Sequence, residues 1–230
     1  LKRAVTMEVD YTQHRIRMVD GQLRTTDVTD ASILDAMLSV PREEFVDPTR
    51  RPLAYIDEDI PAPSAGTGAL PRFIMEPSPF AKLVQLAEIG PGDFVLDIGC
   101  ATGYSSAVLS RLASSVVALE SDSALAEKAA ATLNRLGCDN VAVVTGDLAA
   151  GYASEGPYDV ILLGGSVEVI PDAIFAQMKE GGRLVAVEGA GNSGKARIYV
   201  KADGIITGRS VFNAAVKALP GFERVRTFQF

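Results

Sequence analysis

The sequence predicts a doubly wound α/β fold: a mostly parallel sheet, an antiparallel C-terminal hairpin and a helical N-terminal cap. Three observations carry this expectation. From Asp93 onward, short apolar runs rich in β-branched residues alternate with helix-like segments, the pattern of a parallel sheet covered on both faces. Near the C-terminus, "ARIYVKADGIITGRSVF" sets two strand-like runs around Asp203-Gly204, a strong hairpin-turn signal. The first sixty residues lack strand alternation and carry helical spacing instead.

Taken in order, "DASILDAMLSV" (30–40) places Ile33, Leu34, Met37 and Leu38 on one helical face. Thr29 or Asp30 is the expected N-cap, and Pro41 ends the helix. The Pro/Gly-rich stretch 61–71 reads as a loop or small hinge. "RFIMEP" (72–77) follows and is unusually apolar for a surface loop. Pro77 or Pro79 suits the first turn of a helix running to about Glu88. The regular part then reads "DFVLDIG" strand, "GYSSAVLSRLA" helix, "SVVALE" strand and "SALAEKAAATLNRLG" helix, with Gly137 as C-terminal cap. "VAVVTGD" and "YDVILLGG" are strands, "PDAIFAQMKEGG" a helix, "RLVAVEG" a strand. "FERVRTFQF" is a candidate edge strand.

Composition narrows the class. With 230 residues, 47% hydrophobic and 22% charged, the chain has the makeup of an ordinary globular protein. A formal net charge of −7 argues against nucleic acid as a default partner, since phosphate binding wants a basic face. Two cysteines, Cys100 and Cys138, imply no disulfide framework and fit a reducing cytoplasm. No run approaches the length of a membrane span. The first 18 residues lack a continuous apolar stretch, so no secretory signal is expected within them.

The chemistry-bearing signal is Asp97-Ile98-Gly99-Cys100-Ala101-Thr102-Gly103. A strand delivers the chain to a turn of small residues, and a helix starts at once. Such a turn lets a ligand approach the backbone at the carboxyl ends of the strands. The dinucleotide fingerprint G-x-G-x-x-G is not met, because Ala101 and Tyr104 stand where glycines belong; nicotinamide chemistry is therefore the weaker reading. Glu120 ends the second strand, 21 residues after Gly99, where a carboxylate accepts ribose hydroxyls. Asp147 ends the third strand in "TGDL".

The 97–103 pattern resembles the first motif of Rossmann-like S-adenosylmethionine (AdoMet) methyltransferases, with Ala101 in place of one glycine. The resemblance then narrows. "MVDGQL", "ILDAMLSVPREEFV", "AYIDEDIP", "VLDIGCATGYSSAVLSRL", "LGCDNVAVVTGD", "GPYDVILL", "IPDAIFAQMKEGGRLV" and "VKALPGF" occur in the order found in protein-L-isoaspartate O-methyltransferases. It covers most of the chain from about residue 15, N-terminal helices included. What it implies is methyl transfer from AdoMet to the α-carboxylate of isoaspartyl residues in proteins or peptides. Asp97, Gly99, Cys100, Ala101, Gly103 and Tyr104 would cradle AdoMet together with Glu120 and Ser121, while Asp147 and Leu148 would address the adenine. It also implies one methyltransferase domain over 1–230, with 1–76 as cap and substrate loop and 77–230 as the AdoMet-binding core. No membrane, nucleic-acid or metal partner is expected; the oligomeric state is left open.

A sulfonium methyl is already activated and a carboxylate is already ionised near neutral pH, so neither metal nor general base is required. His14 is accordingly read as structural or exposed. The relatives hold their acceptor with a loop reading G-Q-T-I-S; aligned through Ile74 and Pro77, this chain has Met75 at the serine position. A thioether cannot donate a hydrogen bond, and losing such a donor typically costs on the order of 2–4 kcal/mol. The preceding loop is longer than the family's, and Ser64 or Thr67 could supply a hydroxyl, whereas Ser78 lies beyond Pro77. Arg72 could instead grip an anionic group bidentately. Met75 and Arg72 are thus the candidate acceptor-side residues. Cys100 is read as a small turn residue and Cys138 as structural. Tyr104 either touches the methionine part of AdoMet or packs in the core, and Gly164-Gly165-Ser166 either borders the acceptor or is a plain strand-to-helix loop. The alternatives to isoaspartyl methylation are a different acceptor, or a catalytically silent AdoMet-binding member that acts through protein contacts.

Overall fold

The computed structural model describes residues 9–62, 71–191 and 193–224. The N-terminal cap begins with α1 (Tyr11–Met18), capped by the Asp10 carboxylate, and continues without a break into a π-helical turn over Val19–Leu23. Helix α2 (Ala31–Ser39) starts at Asp30, whose side chain accepts from the Ser32 and Ile33 amides. It buries the predicted face through Ile33, Leu34 and Met37. Short 3-10 turns follow over Arg42–Glu44 and Pro48–Leu53.

The first departure from expectation lies in the loop. Ile60–Ala62 forms β1 and Arg72–Ile74 forms β2, a two-stranded antiparallel ribbon with Ile60 opposite Ile74 and Ala62 opposite Arg72. The apolar character of "RFIMEP" is thus a strand with buried residues, not a loop. Pro61 sits in this ribbon, where edge strands tolerate it. Ser64 and Thr67 fall outside the described residues. Helix α3 (Pro77–Ala87) then begins on Pro77 as expected.

The main sheet has seven strands: β3 (Phe94–Ile98), β4 (Ser115–Glu120), β5 (Val141–Thr145), β6 (Tyr158–Val167), β7 (Met178–Glu188), β8 (Lys195–Ala202) and β9 (Ile205–Asn213). Their spatial order is β5-β4-β3-β6-β7-β8-β9. The first five strands pair in parallel; β8 and β9 are antiparallel and turn at Asp203-Gly204, as the sequence predicts. Helices α4 (Tyr104–Leu109) and α5 (Ser123–Arg135) are the crossovers after β3 and β4. Gly137, with a left-handed backbone, follows α5 as the expected cap.

The predicted helix over 171–182 is largely overturned. Only Asp172–Phe175 is helical (α6), and β7 already begins at Met178. Met178 pairs with Tyr158 of β6 and is buried, while the Tyr158 amide donates to the Gln177 carbonyl at 2.8 Å. Tertiary pairing has outcompeted the local helix preference of Ala-Gln-Met-Lys-Glu. The described part of the proposed last edge strand, Phe222–Arg224, is not a strand, and 225–230 lie outside the described residues.

One apolar cluster joins the cap to the sheet: Met37, Phe45, Ile74 and Met75 pack with Phe80, Tyr104 and Val160. A second, on the other face, holds Leu96, Ile98, Leu163 and Leu219. Among the described residues no helix is long and apolar enough to cross a membrane.

Candidate functional site

The strand order reverses between β3 and β6: β4 and β5 extend the sheet one way, β7 the other. A crevice opens at the carboxyl ends of strands at such a point. Each strand carries a glycine there: Gly99 follows β3, and Gly164 lies within β6. A Cβ added to Gly164 would lie 2.7 Å from the Gly99 carbonyl oxygen, so the two chains cross in near contact.

After β3 the backbone folds tightly. The Gly99 and Cys100 amides both donate to the Leu119 carbonyl (2.8 and 3.2 Å), and Gly103 N donates to Cys100 O at 2.8 Å. Gly99 (φ 85°) and Gly103 (φ 93°) adopt the left-handed region, and Ala101 joins them at φ 50°. For alanine that conformation is unfavourable, and the contact that holds it is an amide donation from Ala101 to Glu120 Oε2 at 2.8 Å.

Two buried carboxylates flank this turn. Asp97 Oδ2 accepts from the hydroxyls of Ser105 and Ser106, each at 2.6 Å. Its Oδ1 is buried with no partner. Burial raises the Asp97 carboxyl to about 6, aided by the negative charge of Glu120 and opposed by the two serine hydroxyls and Arg72. Glu120 is fully buried. Its Oε1 accepts from Ser121 N (2.8 Å) and Oγ (3.2 Å) and from Asp122 N (3.2 Å). Arg72, only 4% exposed, forks onto both oxygens: Nε to Oε1 at 3.1 Å and Nη2 to Oε2 at 2.8 Å.

Acceptor-side and cofactor-side candidates therefore meet. Ala101, Glu120 and Ser121 form one hydrogen-bond network with Arg72, while Gly99 and Cys100 sit in the same turn, tied to the Leu119 carbonyl, and Asp97 stands beside it. Met75 is 8% exposed and lines a small cavity of about 20 Å³ with Phe73, Ile74, Phe80, Gly99, Cys100 and Tyr104. Tyr104 is buried against Phe45 and Phe80, the core-packing reading, and it also lines that cavity. Burial pushes the Cys100 thiol well above its ordinary value, which suits a small turn residue and not a nucleophile.

Other candidates stand apart. Asp147 is exposed, follows β5, and caps the 3-10 turn Leu148–Ala150 through the Ala149 amide at 3.0 Å; Leu148 is buried in the second cluster. His14 is half-buried with its ring edge-on to Tyr11, away from the strand ends. Ser166 is buried and pairs with the C-terminal segment: Ser166 N donates to Lys217 O and Leu219 N to Ser166 O.

Two residues not anticipated complete the site. Arg42, fully buried, donates to the carbonyls of Ala54 and Met75 (each 2.8 Å) and lies 4.5 Å over the Tyr104 ring. It fixes the backbone at position 75. Leu219 covers the glycine turn: a Cβ on Gly99 would lie 2.5 Å from Leu219 Cδ1 and 2.7 Å from Arg72 Nη2. Both residues sit inside the quoted segments "VPREEFV" and "VKALPGF", but nothing in their local pattern marks them as site residues.

An open α/β sheet with a glycine turn at its switch point and a buried acid closing the next strand is the architecture of a Rossmann-like cofactor-binding fold. The pattern of the protein-L-isoaspartate(D-aspartate) O-methyltransferase family matches residues 14–216. A protein-L-isoaspartate O-methyltransferase of Koribacter versatilis is 41% identical over 176 residues, covering 76% of this chain and 77% of that one. One of Pelobacter propionicus is 35% identical over 203 residues, 88% of each chain. Among solved structures, a protein-L-isoaspartate O-methyltransferase superposes with a TM-score of 0.76 at 29% identity, over 91% of this chain and 67% of that one. A Plasmodium falciparum protein solved in complex with S-adenosyl-L-homocysteine shares the fold, with a TM-score of 0.73 at 19% identity over 92% of this chain and 99% of that one. The chain belongs to the protein-L-isoaspartate O-methyltransferase family.

Proposed function

We propose that this chain binds AdoMet at the 97–103 turn and transfers its methyl group to the carboxylate of isoaspartyl residues in protein or peptide acceptors. It works as one domain, in the cytoplasm. The observation that carries the reading is the convergence of the Gly99–Gly103 turn, the buried Glu120 and the Met75-lined cavity at the switch point.

The donor set suits the cofactor. Asp97 Oδ1, buried and without a partner, is placed to accept from a cationic amino group. Glu120 has the position and chemistry of a ribose acceptor, and Asp147 stands at the next strand end. Bound AdoMet supplies an activated methyl. The protein's own work is to orient and to dry the site. Phe73, Ile74, Met75 and Phe80 wall the cavity with apolar groups, and Arg42 pins the backbone at Met75, just after β2. A carboxylate acceptor arrives ionised, so no side chain is asked to remove a proton.

Met75 favours a second reading, in which the same machinery methylates a different acceptor. Two measurements decide. Calorimetry should show AdoMet binding that is lost in a Glu120→Ala/Asp147→Ala variant; absent binding in the native chain, or unchanged binding in the variant, refutes the cofactor assignment. Methylation of an isoaspartyl peptide but not of its aspartyl twin supports repair chemistry, and transfer to neither points to another acceptor.

A further inference from the structure

Glu120 is already saturated. A carboxylate offers about four lone-pair sites, and those of Glu120 receive Ala101 N, Ser121 N and both arms of the Arg72 fork, with Ser121 Oγ and Asp122 N besides. No acceptor capacity is left for ribose hydroxyls. A second observation, of space and not of hydrogen bonding, points the same way. Arg72 Nη2 lies 2.7 Å from where a Gly99 Cβ would be, so the guanidinium covers the turn whose small residues admit a ligand.

We propose that Arg72 is an internal competitor for the cofactor's ribose acid: cofactor binding displaces its guanidinium from Glu120, and the freed cation then holds the acceptor's carboxylate. The inference rests on the methyltransferase reading and adds to it a specificity-determining residue and an order of binding, cofactor before acceptor.

Geometry and charge support both halves. Arg72 begins β2, three residues before Met75, and pairs with Ala62 in a ribbon of only three register pairs. Its side chain can leave Glu120 without unpairing any strand of the main sheet. Once it leaves, the guanidinium stays charged, and Glu120 is its one ion-pair partner among the described residues. A buried cation without a counter-ion is strongly unfavourable. An acceptor carboxylate offers the matching bidentate partner, close to Met75, whose thioether cannot donate.

The test compares wild type with Arg72→Gln and Arg72→Lys. Adenosine, which has no carboxylate, and S-adenosylhomocysteine are titrated by calorimetry, and an isoaspartyl peptide is assayed for transfer. Arg72→Gln should bind both nucleosides about tenfold tighter, a gain of about 1.4 kcal/mol. Its KM for the peptide should rise about tenfold while kcat holds, and Arg72→Lys should recover part of that KM. Unchanged or weaker adenosine binding by Arg72→Gln overturns the competition. Tighter adenosine with weaker S-adenosylhomocysteine would place the guanidinium on the cofactor's own carboxylate and overturn the acceptor half, as would an unchanged peptide KM. If Arg72→Gln does not fold, Arg72→Lys, which loses the fork, decides: tighter adenosine supports competition and unchanged binding overturns it. Wild type that binds neither nucleoside refutes the methyltransferase reading instead.

Discussion

Replacing Met75 by serine perturbs packing and chemistry in opposite directions, and the two can be read separately. Met75 is 8% exposed and belongs to the cluster that joins cap and sheet. Truncating a buried methionine costs about 2–5 kcal/mol, and the small cavity already beside it gives the site little to collapse onto. Taking about 3 kcal/mol, and roughly 2–4 °C per kcal/mol for a chain of this size, Tm should fall by about 6–12 °C. The backbone should hold its place, because Arg42 grips the carbonyl of residue 75 and not its side chain. A hydroxyl there regains a donor toward the acceptor, which is worth on the order of 2–4 kcal/mol in transition-state stabilisation. The kcat/KM on an isoaspartyl peptide should therefore rise by about 30-fold or more, measured below the lowered Tm. A Tm within 2 °C of wild type would refute the packing argument. A folded Met75→Ser enzyme with unchanged kcat/KM would show that position 75 does not face the acceptor.

Asp97→Asn tests the buried acid. With its folded pKa raised to about 6 by burial, the ionised form is penalised at neutral pH, and that penalty disappears as pH falls through 6 toward the unfolded value near 4. Urea melts should find Asp97→Asn more stable than wild type at pH 7.5 by up to about 3 kcal/mol, with the gain gone by pH 4, while AdoMet affinity drops because the cationic amino group loses its anion. Glu76 is raised to about 7 by burial and by Asp57, Asp59 and Glu58, so it gains charge beside the acceptor strand between pH 6 and 8. The KM for an isoaspartyl peptide should climb across that window and stay flat in Glu76→Gln. Gly99→Ala places a methyl 2.5 Å from Leu219 and 2.7 Å from Arg72 in a left-handed conformation. Calorimetry should find no AdoMet binding, and thermal melts should find a Tm several degrees lower.

The parallel core was readable because strands buried on both faces leave a near-continuous apolar signature: "FVLDI", "SVVALE" and "YDVILL" all became strands where expected. The 171–182 segment misled because helix propensity is local, whereas the pairing of Met178 with Tyr158 is set by a strand twenty residues earlier. The β1–β2 ribbon was hidden behind Pro61 and a Gly/Pro-rich connection that punctuates like a loop. In the site, Asp147 stands apart and caps its own turn, but Asp97 and Glu120 could be placed beside one turn by counting strand ends. Their partners could not. Arg72 and Glu120 are separated by 48 residues, and Leu219 reaches Gly99 from the other end of the chain; neither contact leaves a local pattern.

The departures from the family's acceptor loop fall within one four-residue segment and compensate one another chemically. Where the relatives read Gln-Thr-Ile-Ser, this chain reads Arg-Phe-Ile-Met over 72–75. Neutral donors are lost at three positions and a single fixed cation is gained. Phe73 and Met75 wall the cavity with apolar groups, which lowers the local dielectric and strengthens every charge interaction nearby. A cation in such surroundings cannot remain unpaired, so it needs an anion in both states of the site. Glu120 serves when the cofactor is absent. Once a cofactor claims Glu120, the anion best matched to the fork is the one the reaction methylates, and methylation itself removes that charge. The product ester is neutral and no longer holds the guanidinium, so the same residue that recruits the acceptor also favours its release and the return of Arg72 to Glu120.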